Sequence, residues 1–457
     1  GVLAAAVAAV ARPGRRWAWQ GPTDAAARWA EETGPKDLDL WCERRGDGTD
    51  DPAAALGSTM SCARIVDFER PGRLRHVILA AETSTGAAVI DYDFGDLRVG
   101  PVLLVQASEI RTDPVTRRLI GVAAVADLLV RPLLRGRIPA ADRVAEATAA
   151  WRATGPMERT RLVGQLRHQL GSGVTRRILD ALAGRPVDAT LPRRARTRLL
   201  LHSLAPANIG ATWAERSTVV PAGAAAGPLG LRVRGVVVAL IGTDGSGKTT
   251  VADELDQRLR RFGLRTGSAY FGMGRGNLPG VLLARRAVGA LRARDQARTG
   301  EVSDPALPVA RATDHPTLRR AAAWFYAVEY IWRYLRTVRP QRAERRVVIV
   351  DRWVYDLQES PWPGSTAATV IRWIVPSPDV IVLPDAPIGQ VHARKPERPL
   401  AEQAAEQERY RRLLAERPAR YAEMIVDTSG ATVDPLAPLV ALVIEAAHRP
   451  GPLRRPR

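Results

Sequence analysis

The most constraining stretch of this 457-residue chain is VVVALIGTDGSGKTT, residues 236–250. A β-branched run ends in glycine, and a glycine-rich octet from Gly242 to Thr249 follows. Apolar Val251, Leu255 and Leu259 then recur at four-residue steps. This predicts a buried strand over Val236 to Ile241, a tight turn, and a helix from Lys248 to Phe262. The octet fits G-x-x-x-x-G-K-[ST], a loop that wraps phosphate. Gly242, Gly245 and Gly247 let the backbone turn sharply and approach an anion closely. The N–H groups from Gly245 through Ser246, Gly247, Lys248, Thr249 and Thr250 then converge at the positive end of a helix. Lys248 supplies a point charge for the β- and γ-phosphates, and the Thr249 hydroxyl suits Mg²⁺. ATP and Mg²⁺ are therefore the expected cofactors. Only three lysines, Lys36, Lys248 and Lys395, stand among 67 Lys plus Arg, and one of them fills this position.

The rest of the C-terminal half alternates short apolar runs with helical patterns. Strands are predicted over Thr266 to Phe271, Arg346 to Val350 and Val380 to Leu383, with a last one beginning at Met424. A long helix is predicted from Leu318 to Val338 and a final one from Leu436 to Ala447. Such alternation is that of an α/β fold with a parallel sheet flanked by helices. Asp351 ends the RVVIVD run, where a carboxylate can join a Mg²⁺ shell, and Arg352 next to it points toward an anion. The turn HARKPERP holds Arg394, Lys395 and Arg398 ahead of a charged helix, as a basic lid would. His392 lies beside that lid. Trp324, Tyr330 and Trp332 on the long helix read first as core.

The N-terminal half predicts an α+β domain over 1–135, with strands at Leu38 to Trp41, Val77 to Ala80, Ala88 to Tyr92 and Pro101 to Val105. A helical, arginine-rich segment over 136–220 follows it. PRRARTR, residues 192–198, reads as a solvated helix face. The small-residue stretch PAGAAAGPLG marks a linker, set at 221–233, before a domain over 234–449. The opening GVLAAAVAAVA is apolar but short and without a basic leader; it reads as a core helix or a trimmed end, not as a secretion signal.

A net charge of +19 favours phosphate-rich partners, although so much arginine also reflects coding bias. A nucleic-acid partner ranks well below a small phosphorylated one. Cys42 and Cys62 are too few for a four-ligand zinc site; they form one disulfide or stay reduced, and reduced thiols in a cytoplasm are the simpler reading. No uncharged apolar run reaches the ~20 residues of a spanning helix.

The order G-x-D-G-S-G-K-T, VDRW and PDVIVLPDAP with its Arg-rich turn resembles the thymidylate kinase family. The resemblance covers about Arg234 to Ala447. It implies a P-loop kinase fold in which Asp244 contacts the acceptor's hydroxyl and Arg352 grips an acceptor monophosphate. It also allows a homodimer. Two departures stand out: YFGMGRGNLPG, residues 270–280, lacks the family's Arg-Glu-Pro-Gly-Gly block, and the long helix lacks its Ala-Asp-Arg. The phosphate-handling residues match and the base-reading ones do not. More faintly, GPKDLDLW and AAVIDYDF resemble the nucleotidyltransferase pattern, with Asp37 and Asp39, and Asp91 and Asp93, each sharing a strand face where Mg²⁺ can bind. The family's upstream Gly-Ser turn is absent.

The expected function is Mg-ATP-dependent phosphoryl transfer to a small acceptor, a nucleoside monophosphate or another metabolite. Lys248, Asp244, Arg352, Arg394 and Arg398 would be its catalytic residues, and Thr249 and Asp351 the metal ligands. The alternatives are a nucleotide-binding regulatory module without turnover and a nucleic-acid-stimulated ATPase.

Overall fold

A computed structural model describes residues 2–12, 14–21, 37–45, 51–57, 62–70, 74–83, 86–218, 233–272, 316–358, 365–396, 398–416 and 418–449. The linker stretch at 221–230 and most of YFGMGRGNLPG lie outside them. The chain forms two compact units. Gly1–Arg232 makes up nearly all of the first, and Val233–Arg260 with Leu264–Ala447 nearly all of the second. No helix among the described residues is long and apolar enough to cross a membrane.

The first unit is built on strands β1 (Trp17–Trp19), β2 (Asp37–Cys42), β3 (Cys62–Arg70), β4 (Leu74–Thr83) and β5 (Gly86–Gly95). They form one sheet in the order β1-β2-β5-β4-β3, with β2 parallel to β5 and the other pairs antiparallel. Alternation sorts the side chains. Leu38, Leu40, Val77, Leu79, Ile90, Tyr92 and Phe94 pack into one core with Ala6, Val10 and Leu56. The other face carries Asp39, Trp41, His76, Asp91 and Asp93. Short hairpins β6 (Leu97–Val99) with β7 (Val102–Val105) and β8 (Arg111–Thr112) with β9 (Leu119–Ile120) lead into helices 141–153, 156–170, 172–182 and 191–203, which share a separate core. Arg193, Arg194, Arg196 and Arg198 are exposed on the last of these, as the solvated-face reading expects. Cys42 and Cys62 are not joined in a disulfide.

The second unit holds β10 (Val236–Leu240), β11 (Thr266–Tyr270), β12 (Val347–Asp351), β13 (Val380–Asp385) and β14 (Ala422–Asp427), in the order β11-β12-β10-β13-β14. Every pairing is parallel. Every residue of β10 is buried, which is why this strand is a continuous VVVAL run and not an alternating one. Helices Lys248–Arg261, Pro316–Arg333, Thr366–Ile374, Leu400–Ala415 and Ala437–His448 flank the sheet. The chain runs from β10 out to β11 and back to β12, then to the other side of β10 for β13 and β14. The order therefore reverses at β10. In such sheets the crevice at the carboxyl ends of the strands flanking that reversal receives ligands.

Among the described residues two helices contain a π turn, Ala126–Val130 and Tyr334–Val338, and each is followed by Arg-Pro. Proline lacks the N–H that would continue the ladder and crowds the carbonyl four residues back, so the helix widens just before it. The aromatic helix corrects one expectation. Ala323, Ala327 and Tyr330 face the core, but Trp324 and Trp332 are 45% and 44% exposed. Trp324, Val328 and Trp332 recur every four residues on the opposite side of the helix and so share an outward face.

Candidate active site

The glycine-rich loop sits at the carboxyl end of β10, between that strand and the helix that begins at Lys248. Gly245 has φ +88°, a conformation costly for any other residue, and a Cβ there would lie 2.6 Å from the Val391 carbonyl oxygen. The loop is thus closed against the helix Ile388–Arg394. Lys248 is buried and its Nζ donates to the carbonyls of Gly242 (2.9 Å) and Thr243 (2.7 Å). Burial, helped by Arg352, lowers its pKa, while Asp244, Asp351 and Asp356 pull the other way. The hydroxyls of Thr243 and Ser246 are buried without a hydrogen-bond partner. Thr249 and Thr250 are exposed at the first turn of the helix.

Parallel pairing brings in the second half of the site. Register sets Asp351, the last residue of β12, beside Leu240, the last of β10. The Oδ1 of Asp351 is buried and unpartnered. An unpartnered carboxylate oxygen and unpartnered hydroxyls beside a glycine-rich loop are oxygen donors of the kind a hard divalent cation takes. Arg352 follows at φ +66°, held there by its backbone N–H to the Leu240 carbonyl (2.8 Å). A non-glycine residue in that region is strained by about 1–3 kcal/mol, and strain of this kind gathers at functional sites. Its guanidinium donates to Asp244 (2.6 Å), Asp356 (3.2 Å) and the Tyr410 hydroxyl (3.4 Å). Tyr410 in turn donates to Asp356 at 3.1 Å.

Asp244 is the hub. Its carboxylate lies 3.5 Å from Lys248 and 3.9 Å from Lys395 as well as against Arg352. Burial works to raise its pKa, but Arg352, Lys248 and Lys395 outweigh burial and hold the carboxyl below its ordinary value. Asp356 shows the opposite balance: burial outweighs Arg352 and Tyr410, and its pKa is raised.

The basic turn is divided in its contacts. Arg394 donates to the Thr428 carbonyl (2.7 Å), and Arg398 to Glu406 (3.2 Å). Lys395 is the turn's residue that reaches Asp244. His392 accepts no direct role at the loop; its Nδ1 meets Gln403 Oε1 at 2.9 Å, and Gln403 donates to the Asp244 carbonyl at 2.9 Å. Thr428 donates to the Ser246 carbonyl at 2.9 Å. Of the expected residues, Asp244, Lys248, Asp351 and Arg352 converge, with Gly242, Gly245, Ser246 and Gly247 forming the loop beside them. Sequence reasoning missed Asp356, Gln403, Glu406 and Tyr410. Only Asp356 left a trace, four residues after Arg352 in a helical turn.

The first unit holds a separate cluster. Asp39 stands opposite Asp91 across the parallel β2–β5 pair. His76 Nε2 lies 2.5 Å from Asp91 and 4.0 Å from Asp93. Arg131 closes on Asp93 (2.8 Å) and Asp127 (3.1 Å). Burial disfavours the charged imidazole, but Asp91 and Asp93 prevail and lift the His76 pKa to about 9. The side chain of Asp37 lies outside the described residues. Ligand atoms of His76, Asp91 and Asp93 fall within 4.8 Å of one another, although all three are already engaged: the cationic His76 pairs with Asp91, and Arg131 with Asp93.

No family model and no curated protein matches the chain. Among solved structures it is similar to a thymidylate kinase from Ehrlichia chaffeensis, at 14% identity, covering 46% of this chain and 97% of that one, with a TM-score of 0.28. At that score the functional reading rests on the geometry of the site itself.

Proposed function

We propose that the second unit is a Mg-ATP-dependent phosphotransferase acting on a small acceptor. The observation that carries this is the pairing of the strand–glycine loop–helix around Lys248 with the unpartnered carboxylate oxygen of Asp351 one strand away. The loop N–H groups and Lys248 would hold the β- and γ-phosphates, with Lys248 leaving the carbonyls of Gly242 and Thr243 to do so. Asp351, Thr249 and Ser246 would hold Mg²⁺, which neutralises phosphate charge during transfer. Asp244 would orient the acceptor oxygen for in-line attack. Arg352 would fix Asp244 and stabilise charge on the transferring group. Lys395 stands on the lid side of Asp244 with the same sign of charge. Arg394 and Arg398 would join only on leaving Thr428 and Glu406.

The test is ADP release from Mg-ATP by the full chain. Lys248→Ala and Asp351→Ala are each expected to lower it by about a thousandfold, the scale of a lost charge-stabilising group. Far-ultraviolet circular dichroism should be unchanged. Full turnover by both variants would refute the assignment.

A further inference from the structure

The helices Leu191–Ser203 and Pro206–Thr218 of the first unit carry a surface that phosphoryl transfer does not use. The first of them buries Leu191, Pro192, Ala195 and Ser203. Its outward face is divided along its length. Residues seven apart on a helix lie nearly in line, so Arg193 lines up with Leu200 and Arg194 with Leu201. Leu204, one turn after Leu200, continues the first line. Arginine therefore occupies one end of this face and leucine the other. All three leucines are exposed, Leu204 by 61%. The next helix adds Ile209 and Trp213, one turn apart, with Trp213 75% exposed. Single exposed hydrophobic residues are ordinary on a protein surface; five along two consecutive helices are not.

The charge on this surface has one sign. No aspartate or glutamate occurs from Ala189 to Ala214, while four arginines do. Arg193, Arg194, Arg196 and Arg198 are all exposed. Arg196 lies over Gly136 and Arg198 against Gly171, which offer no charge. Among the described residues no ion pair joins any of the four to a carboxylate. Other exposed arginines of the same unit differ. Arg111 is paired with Glu158, Arg161 with Glu109 and Arg185 with Asp180.

An anion is the missing partner of these arginines, and an apolar medium that of the leucines and the tryptophan. A bilayer of anionic lipid offers both in layers, phosphate outside and acyl chain beneath, with a boundary that favours tryptophan. A nucleic acid offers phosphate but nothing for three leucines. A second copy laid on the same face would set arginine against arginine.

We propose that this helix pair docks the protein on the surface of an anionic membrane. The leucines, Ile209 and Trp213 enter the boundary between headgroups and acyl chains, and the arginines bind lipid phosphates. The proposal is independent of the chemistry around Lys248.

Co-sedimentation of the full chain with vesicles tests it. Vesicles of phosphatidylcholine alone are compared with vesicles of phosphatidylcholine and phosphatidylglycerol in equal parts. Binding to the mixed vesicles should be at least about tenfold tighter and should weaken as salt is raised. Arg193→Gln with Arg194→Gln should weaken it about twentyfold, the product of about fivefold for each charge. Leu204→Ser with Trp213→Ser should weaken it at least about tenfold at unchanged charge. All four positions are exposed, so both double variants should melt at the wild-type temperature. The intact chain's preference between the two vesicles decides the proposal whatever the stability of the variants. Equal affinity for both vesicles, or none for either, overturns it. Binding that the Leu204 and Trp213 changes leave intact also overturns it, since the surface is then purely electrostatic. Tighter binding to duplex DNA at the same salt overturns it in favour of a nucleic acid. A dimer that the Leu204 and Trp213 changes abolish overturns it in favour of a second copy.

Discussion

Lys248 and Arg131 are buried to nearly the same degree, 7% and 6% exposed, one in each unit. Their partners differ. Lys248 donates to two neutral backbone carbonyls, with a carboxylate standing off at 3.5 Å. Arg131 is closed between Asp93 and Asp127 at 2.8 and 3.1 Å. Carbonyls satisfy an ammonium's hydrogen bonds without cancelling its charge, so phosphate oxygens can replace them at little cost. Carboxylates cancel the charge outright. Burial alone therefore does not distinguish a working cation from a structural one; the kind of partner does.

Two substitutions sharpen that contrast. Lys248→Ala should remove turnover almost wholly while leaving stability nearly intact, because its partners are carbonyls that water can satisfy. Arg131→Ala should do the reverse. It leaves Asp93 and Asp127 buried without their guanidinium, with only His76 at 4.0 Å and Gln20 beside Asp93 and the Gly21 N–H on Asp127, at a cost of about 3–5 kcal/mol. Urea denaturation should show that loss, while ATP affinity stays at the wild-type value. A drop in ATP affinity without loss of stability would break the comparison.

The smallest effect is a pH dependence. The folded-state pKa of His76 is raised to about 9 from 6.5 by Asp91 and Asp93. Its ion pair therefore stabilises fully below pH 6.5 and is lost as pH rises through 9. The stability gap between wild type and His76→Gln should shrink over that window. A gap that widens with pH would contradict the charged imidazole.

Much of the second unit is legible in the sequence. VVVALIG, RVVIV and VIVL lie buried on both faces of a parallel sheet, so hydrophobicity is continuous and the strands read directly. The glycine octet reads because backbone geometry admits few residues at φ +88°. The parallel register that sets Asp351 beside Leu240 has no sequence signature, yet it puts the carboxylate where a strand-end aspartate is expected. Asp356 is legible only as a carboxylate four residues after Arg352, and Glu406 and Tyr410 are not legible at all, since they lie on a helix about fifty residues later that only the fold brings to Arg352. Trp324 and Trp332 differ from the core expectation because helical phase separates them: Tyr330 lies on the inner face and the two tryptophans on the outer. In the first unit, β1 and β3 were missed. WAW is too short to show alternation, and CARIVDFER alternates only beyond an irregular register at Arg64 and Val66.

The central claim is that the loop around Lys248 is a cradle for Mg-ATP. Calorimetric titration of ATP into the full chain and into Lys248→Ala, with and without Mg²⁺, tests it most directly. One ATP site is expected, tightening with Mg²⁺ and weakening at least about tenfold on loss of the lysine, the effect of one charge-assisted hydrogen bond. No ATP binding by the intact chain, or binding unchanged in Lys248→Ala, would contradict it.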